Sequence, residues 1–168
     1  MARNSTAARG GAAQMLITVG KPKSAYVSQG LADYAARLKP YGGCTLRHLK
    51  AERAAKGKSP AQLMAAEAER VLAAMEPRLT AWALHIKGEP WTSERWAREL
   101  KAVRESAAPR LALIIGGAEG LDASVLQRAQ ARVSLGPITL PHELAALAAL
   151  EQLYRAHTIL AGLPYHRA

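Results

Sequence analysis

Leu111-Ala112-Leu113-Ile114-Ile115-Gly116-Gly117-Ala118-Glu119-Gly120-Leu121 is an unbroken apolar run that feeds directly into a glycine-rich turn. A strand buried on both faces needs such a run, and strands of that kind belong to parallel sheets. The flanking sequence agrees. Strand-like Leu16–Val19, Thr45–Leu49, Thr80–Ile86 and Val133–Leu140 alternate with helix-like segments. The helices are predicted over Ser24–Leu38, from Pro60 to about Met75, from Ser93 to about Glu105, from Asp122 to about Arg132, and over His142–Leu160. Ser59 before Pro60, and Thr92 or Ser93, supply helix-start signals. Pro40, Gly42 and Gly43 supply a stop. Gly136 and Pro137 interrupt the last strand-like run. Alternation of this kind predicts an α/β fold with a largely parallel sheet and helices on both faces. Ligands in such sheets bind beyond the carboxyl ends of the strands. The loops after Ile86, Ile115 and Leu140 are therefore the places to look for chemistry.

The chain of 168 residues suits one domain with a single core, expected over residues 15–168. Residues 1–14 are small, polar and glycine-containing and lack an apolar segment. They read as a disordered extension and not as a secretory signal, with Met15 as an alternative start. No apolar, uncharged stretch is long enough for a transmembrane helix. The lone Cys44 cannot form an internal disulfide and lacks the companions of a zinc site, so no metal is expected and a reducing cytoplasm fits. The 23 Lys and Arg outnumber the 13 Asp and Glu, for a net charge of +10. Removing Arg3 and Arg9 with the extension leaves +8. Such an excess suggests a polyanionic partner. Part of it gathers at Arg47, Lys50, Arg53, Lys56 and Lys58, opposed only by Glu52; a solvated loop has the same composition.

Three segments carry chemical signals. Gly116-Gly117-Ala118-Glu119-Gly120 lets backbone approach a ligand closely, yet its GGxxG spacing is not the dinucleotide pattern and it lacks the Lys-Ser/Thr of a phosphate loop. It reads equally as a plain strand-to-helix turn. Leu135-Gly136-Pro137-Ile138-Thr139-Leu140-Pro141-His142-Glu143 breaks a strand beside a helix start, which frees backbone donors and acceptors between apolar walls. A bulged edge strand is the alternative. Glu151-Gln152-Leu153-Tyr154-Arg155-Ala156 precedes a terminal Pro164-Tyr165-His166-Arg167. Glu151 and Arg155 are spaced to pair on one helix face, and a terminal Tyr-His-Arg is often only a polar tail.

Taken together and in order, the IGGAEGL loop, the TLPHE turn, the EQLYRA helix and the terminal PYHR resemble the RlmH-type SPOUT methyltransferases from about Met15 onward. The resemblance implies an α/β domain with a C-terminal trefoil knot, against the usual avoidance of knots. It implies a cytoplasmic homodimer with its site at the subunit interface, S-adenosylmethionine as methyl donor, and no metal. The implied substrate is N3 of a pseudouridine in helix 69 of 23S rRNA within the assembled 70S ribosome. By the same resemblance, Leu84, Gly116, Gly117 and the segment Leu135, Gly136, Pro137, Ile138, Thr139 and Leu140 hold the cofactor. Arg155, Tyr165 and His166 handle the substrate, with the C-terminal tail of one subunit completing the site of the other. Three positions depart from the family pattern: His85 where Asp is frequent, Gly136 where Ser is frequent, and Ala146 where Arg is usual. Ala146 removes a cation expected near the RNA or cofactor side.

Methyl transfer of this kind needs alignment more than activation. Arg155 is the candidate to stabilise negative charge developing on the base, with His166, or His142, as candidate proton acceptor. Two alternatives remain: a SPOUT methyltransferase acting on tRNA, and a non-catalytic ribosome-binding relative kept open by Ala146. A nucleotide-dependent oxidoreductase fails for want of GxGxxG and an acidic ribose ligand.

Overall fold

The structure, a computed structural model, describes residues 13–53 and 57–166. Five strands, β1 (Ala13–Val19), β2 (Cys44–Leu49), β3 (Thr80–Pro90), β4 (Arg110–Ile115) and β5 (Ala131–Ser134), form one sheet in the order β2-β1-β4-β3-β5. Every pairing is parallel. The connecting helices are α1 (Ala25–Arg37), α2 (Pro60–Ala74), α3 (Ser93–Glu105), α4 (Ala123–Arg128) and α5 (His142–Leu160). No helix among the described residues is long and apolar enough to cross a membrane.

Period-two alternation divides the core between the two faces of the sheet. Leu16, Trp82, Leu111, Leu113, Ile115 and Val133 pack with buried residues of α1, α3 and α5. Ile17, Val19, Ala81, Ala83, Ala112 and Ile114 pack with α2 and α4. The apolar run of β4 is buried on both sides for this reason, as its sequence predicts. Ser59 caps α2 with a full capping box to Gln62, behind Pro60 in the first turn. Thr92 caps α3.

Four boundaries differ from the sequence pattern. The first strand begins at Ala13, not Met15, because Gln14 is buried and hydrogen-bonded inside the fold. Residues 1–12 of the expected extension lie outside the described residues. Helix α4 ends at Arg128, not Arg132, because Gln130 leaves it to pair with β3: its N–H donates to Ala81 O, and its side-chain oxygen accepts from Ala81 N–H. Strand β5 stops at Ser134, so residues 135–141 are a free turn and not an interrupted strand. Strand β3 runs past Ile86 to Pro90 only after a register shift, in which Leu84 and then Glu89 both face Val133. The intervening residues bulge away from the sheet.

Cys44 is half-buried, and burial pushes its thiol up to about 12, so it stays a protonated packing residue. The polar contact that closes the fold joins its two ends. Gln14 Nε2 donates to the carbonyls of Tyr41 and Gly43, which turns its oxygen toward His157. His157 Nε2 therefore donates to Gln14 Oε1 at 2.7 Å, and its other nitrogen, Nδ1, is buried with no partner among the described residues. Tyr41 stacks on the imidazole at 4.7 Å. Burial, with Arg104 adding to it, lowers the His157 pKa to about 4. The folded value lies below the unfolded value, so the folded state binds fewer protons and stability falls as pH drops through that interval. At pH 4.5 the loss from this group amounts to roughly 2.5 kcal/mol relative to neutral pH. Urea unfolding of the wild-type chain and of His157→Gln should show it: the variant loses less stability between pH 7 and 4.5 by about that amount.

Candidate functional site

In an all-parallel sheet every strand ends on the same edge, and the turns there have backbone groups that no ladder uses. The bulge within β3 and the turns after β4 and β5 converge on a cavity of about 640 Å³. That volume lies within the range of small-molecule and cofactor sites. Leu84 with His85 and Ile86, Ile115 with the glycine loop, Ser134 to Gly136 and Ile138 to His142 line it. Of the residues expected to hold a cofactor, Leu84, Gly116, Gly117, Leu135, Gly136, Ile138, Thr139 and Leu140 all lie here; Pro137 shapes the turn without lining the cavity.

Each turn has a local reason for its shape. A Cβ on Gly116 would stand 2.4 Å from Gly120 O and 2.5 Å from Gly120 C, so only glycine lets the loop fold back on itself. Gly120 N–H donates to Gly117 O and holds that fold. Gly136 sits at φ +116°, and the Ser134 hydroxyl both donates to its carbonyl and accepts from its N–H. The bulge in β3 brings His85 and Ile86 to the rim. Ile86 and Ile138 are large apolar side chains left exposed at that rim. Helix α5 begins with His142 on the cavity wall, and Glu143 accepts from the N–H groups of Lys23 and Ser24 at 2.8 and 3.2 Å. Those bonds lower the Glu143 pKa and tie the start of α5 to the turn after β1.

Glu119, His142, His85 and Ser134 also line the cavity. Glu119 belongs to the glycine motif, and the sequence alone gave no reason to separate it from its neighbours. His85, which stands where the family pattern frequently has Asp, forms part of the wall. Ala146, where the family usually has Arg, is 1% exposed and packs in the apolar cluster under α5.

Arg155, Tyr165 and His166 come together, but not at the cavity. Arg155 pairs with Glu151 at 2.6 Å and lies over the Tyr165 ring at 4.9 Å. Tyr165 donates to Glu151 Oε1 at 3.1 Å, and its oxygen is 3.3 Å from the Tyr34 hydroxyl. His166 Nε2 meets the Glu94 carboxylate at 2.9 Å, which fixes Nε2 as a donor and leaves Nδ1 facing Arg155 Nη1 at 3.5 Å. Burial, then the Tyr34 bond and the Glu151 charge, push the Tyr165 pKa up, so the phenol stays protonated. Thirteen residues of α5 separate His142 from Arg155, about 20 Å of helix axis. One chain therefore carries the cavity and the Arg155 cluster at separate places. Among the described residues no group of three His, Cys, Asp or Glu could hold a metal ion.

A parallel sheet with helices on both faces, two glycine-bearing turns on one cavity, and an Arg-Tyr-His cluster on the last helix define the class. A family model described as "Predicted SPOUT methyltransferase" matches residues 13–166, and the chain belongs to that family. It is 40% identical over 155 residues to the ribosomal RNA large subunit methyltransferase H of Limosilactobacillus fermentum, an alignment covering 90% of this chain and 98% of that protein. The protein of the same name from Carboxydothermus hydrogenoformans is 38% identical over the same coverage. A crystal structure of a probable methyltransferase from Bordetella pertussis shares the fold, with a TM-score of 0.56 and 16% identity over 87% of this chain and 94% of the other.

The crowding at Gly116 has a measurable cost. Gly116→Ala should lose about 2 kcal/mol or more in urea unfolding, because backbone must move. Gly43→Ala, where φ is +76° but space is open, should lose only about 1 kcal/mol.

Proposed function

We propose that the protein transfers a methyl group from S-adenosylmethionine to N3 of a pseudouridine in helix 69 of 23S rRNA, acting as a cytoplasmic homodimer on the assembled 70S ribosome. The observation that carries this reading is the cavity between the glycine loop and the 135–141 turn, beside a basic edge of the same sheet. The names of the relatives point to large-subunit ribosomal RNA. The expected trefoil knot stays with this proposal; the two turns it would bring together line one cavity.

S-adenosylmethionine fits the lining. Leu84, Leu135, Ile138 and Leu140 offer apolar walls for an adenine, and the turns expose backbone groups for its edge. When bound, it would supply a methyl group already activated on sulfonium. The protein's own residues then have three tasks. The Gly116–Gly120 turn and Leu135–Leu140 hold and orient the donor. Arg155 stabilises negative charge developing on the base carbonyls. His166 Nδ1 accepts the N3 proton while Tyr165, held protonated, keeps its O–H on Glu151 and so fixes the carboxylate that orients Arg155.

The turns after β1 and β2 carry Lys21, Lys23, Lys50, Arg53 and Lys58 on the cavity edge of the sheet, since all strands point the same way. These cations suit phosphate contacts. A flipped or looped-out base would deliver the reacting nitrogen. The 20 Å between cavity and Arg155 is bridged when the tail of one subunit serves the cavity of its partner.

Two measurements decide it. Mass spectrometry of helix 69 from cells with and without the gene should show the methyl group only with it; methylation of bulk tRNA but not 70S ribosomes would replace the substrate. Arg155→Ala and a cavity-blocking Gly136→Trp should each be inactive alone. Mixed one to one and allowed to exchange subunits, they should recover roughly a quarter of wild-type activity, the share of intact composite sites in random dimers. No recovery despite exchange would mean that the site is not shared between subunits.

A further inference from the structure

Glu67 is a buried carboxylate that the reaction above does not use. It lies in the middle of α2 and is 7% exposed. A carboxylate is costly to bury unless something specific holds it. Its Oε1 accepts from the backbone N–H of Glu52 at 2.9 Å, in the basic loop after β2. Its other side faces the glycine loop. A Cβ added to Gly117 would meet Glu67 Oε2 at 3.1 Å, Val19 Cγ1 at 3.2 Å and Glu67 Oε1 at 3.4 Å. The carboxylate thus sits under Gly117 while gripping Glu52.

The basic loop has a second anchor on the same helix. Arg70 donates to Lys50 O at 3.0 Å and to Glu52 Oε1 at 2.9 Å, and Lys58 reaches Glu52 Oε2 at 3.4 Å. Arg70 ties the loop to α2 alone. Glu67 is the contact that joins it to the cavity wall.

We infer that Glu67 is a positioning residue that couples the basic loop at Lys50–Arg53 to the glycine loop, so that a polyanion on the first alters cofactor affinity at the second. This rests on the reading of the cavity as a cofactor site. Two loops packed on one rigid, buried group cannot shift independently, because a close-packed interior transmits displacement. Coupling between the two ligands is reciprocal: whatever the polyanion does to the cofactor, the cofactor does to the polyanion.

The test measures S-adenosylmethionine affinity by calorimetry at low salt, with and without saturating poly(uridylic acid) as the polyanion. The wild-type chain should show a change of about 5-fold in Kd. Glu67→Ala should bind both ligands with the change reduced to less than 2-fold. Glu67→Gln keeps an acceptor for Glu52 N–H and fills the same space, so it should retain most of the coupling. Equal coupling in the wild type and a folded Glu67→Ala would overturn the inference, as would no coupling in the wild type. If Glu67→Ala does not fold, hydrogen exchange on the wild type decides. S-adenosylmethionine should slow exchange at Glu52 and Arg53 as well as at Gly117–Gly120; protection confined to the glycine loop would refute the link. A wild-type chain that binds no S-adenosylmethionine defeats the cofactor reading itself, which a loss of coupling alone does not.

Discussion

Backbone polar groups at the end of a parallel strand have no neighbour to finish the ladder, and in this protein that constraint organises everything on one edge of the sheet. The turns after β4 and β5 and the bulge inside β3 meet there, and each solves the problem locally. The glycine loop bonds Gly120 to Gly117 across itself. Ser134 satisfies both backbone groups of Gly136. Strand β3 bulges and rejoins β5 at Glu89. Turns that satisfy themselves are free to stand apart, and the space between them is the cavity. Had β5 continued as a regular strand to Leu140, its edge would have been consumed by pairing and no cavity would remain.

The opposite end of the molecule shows the complementary solution. Gln14 opens the first strand and His157 lies near the end of the last helix, yet they share one buried hydrogen bond. Gln14 is fully specified by three partners, which fixes the imidazole tautomer and leaves Nδ1 bare. A bare, buried nitrogen is tolerable only while it stays neutral, so this contact favours folding near neutral pH and opposes it in acid. It also sets where the folded unit begins, because the strand cannot start later than the residue that closes the core.

Period and punctuation made most of the fold legible. The run Leu111–Ile115 announces a doubly buried strand, and Ser59-Pro60 announces a helix, because local chemistry alone decides those features. Two of the misplaced ends share one cause. Gln14 and Gln130 are polar residues whose partners come from distant parts of the chain, and no window of sequence contains those partners. Ser134 differs: it ends β5 by bonding both backbone groups of Gly136, only two residues on. The cavity-lining turns were accessible to sequence because glycine and proline mark them; Glu67 was not, because a glutamate in mid-helix reads as a solvated residue until its burial is seen.

The separation of the Arg155 cluster from the cavity follows from the geometry of α5. A straight helix that starts on the cavity wall must carry its later turns away, at about 1.5 Å per residue. The cluster is nonetheless fully prepared. Glu151 orients Arg155, Glu94 orients His166, and Tyr34 and Glu151 hold Tyr165. Under the proposed function, prepared polar groups with no cavity of their own, and a cavity whose lining includes no Arg or Lys, are two halves of one requirement. A symmetric pair of chains would satisfy both halves twice, because an isologous interface that brings the cluster of one chain to the cavity of the other does the same in return. Preparation within the chain would then serve rate as well as stability: the polar groups would arrive already aligned, leaving little reorganisation for the moment of transfer.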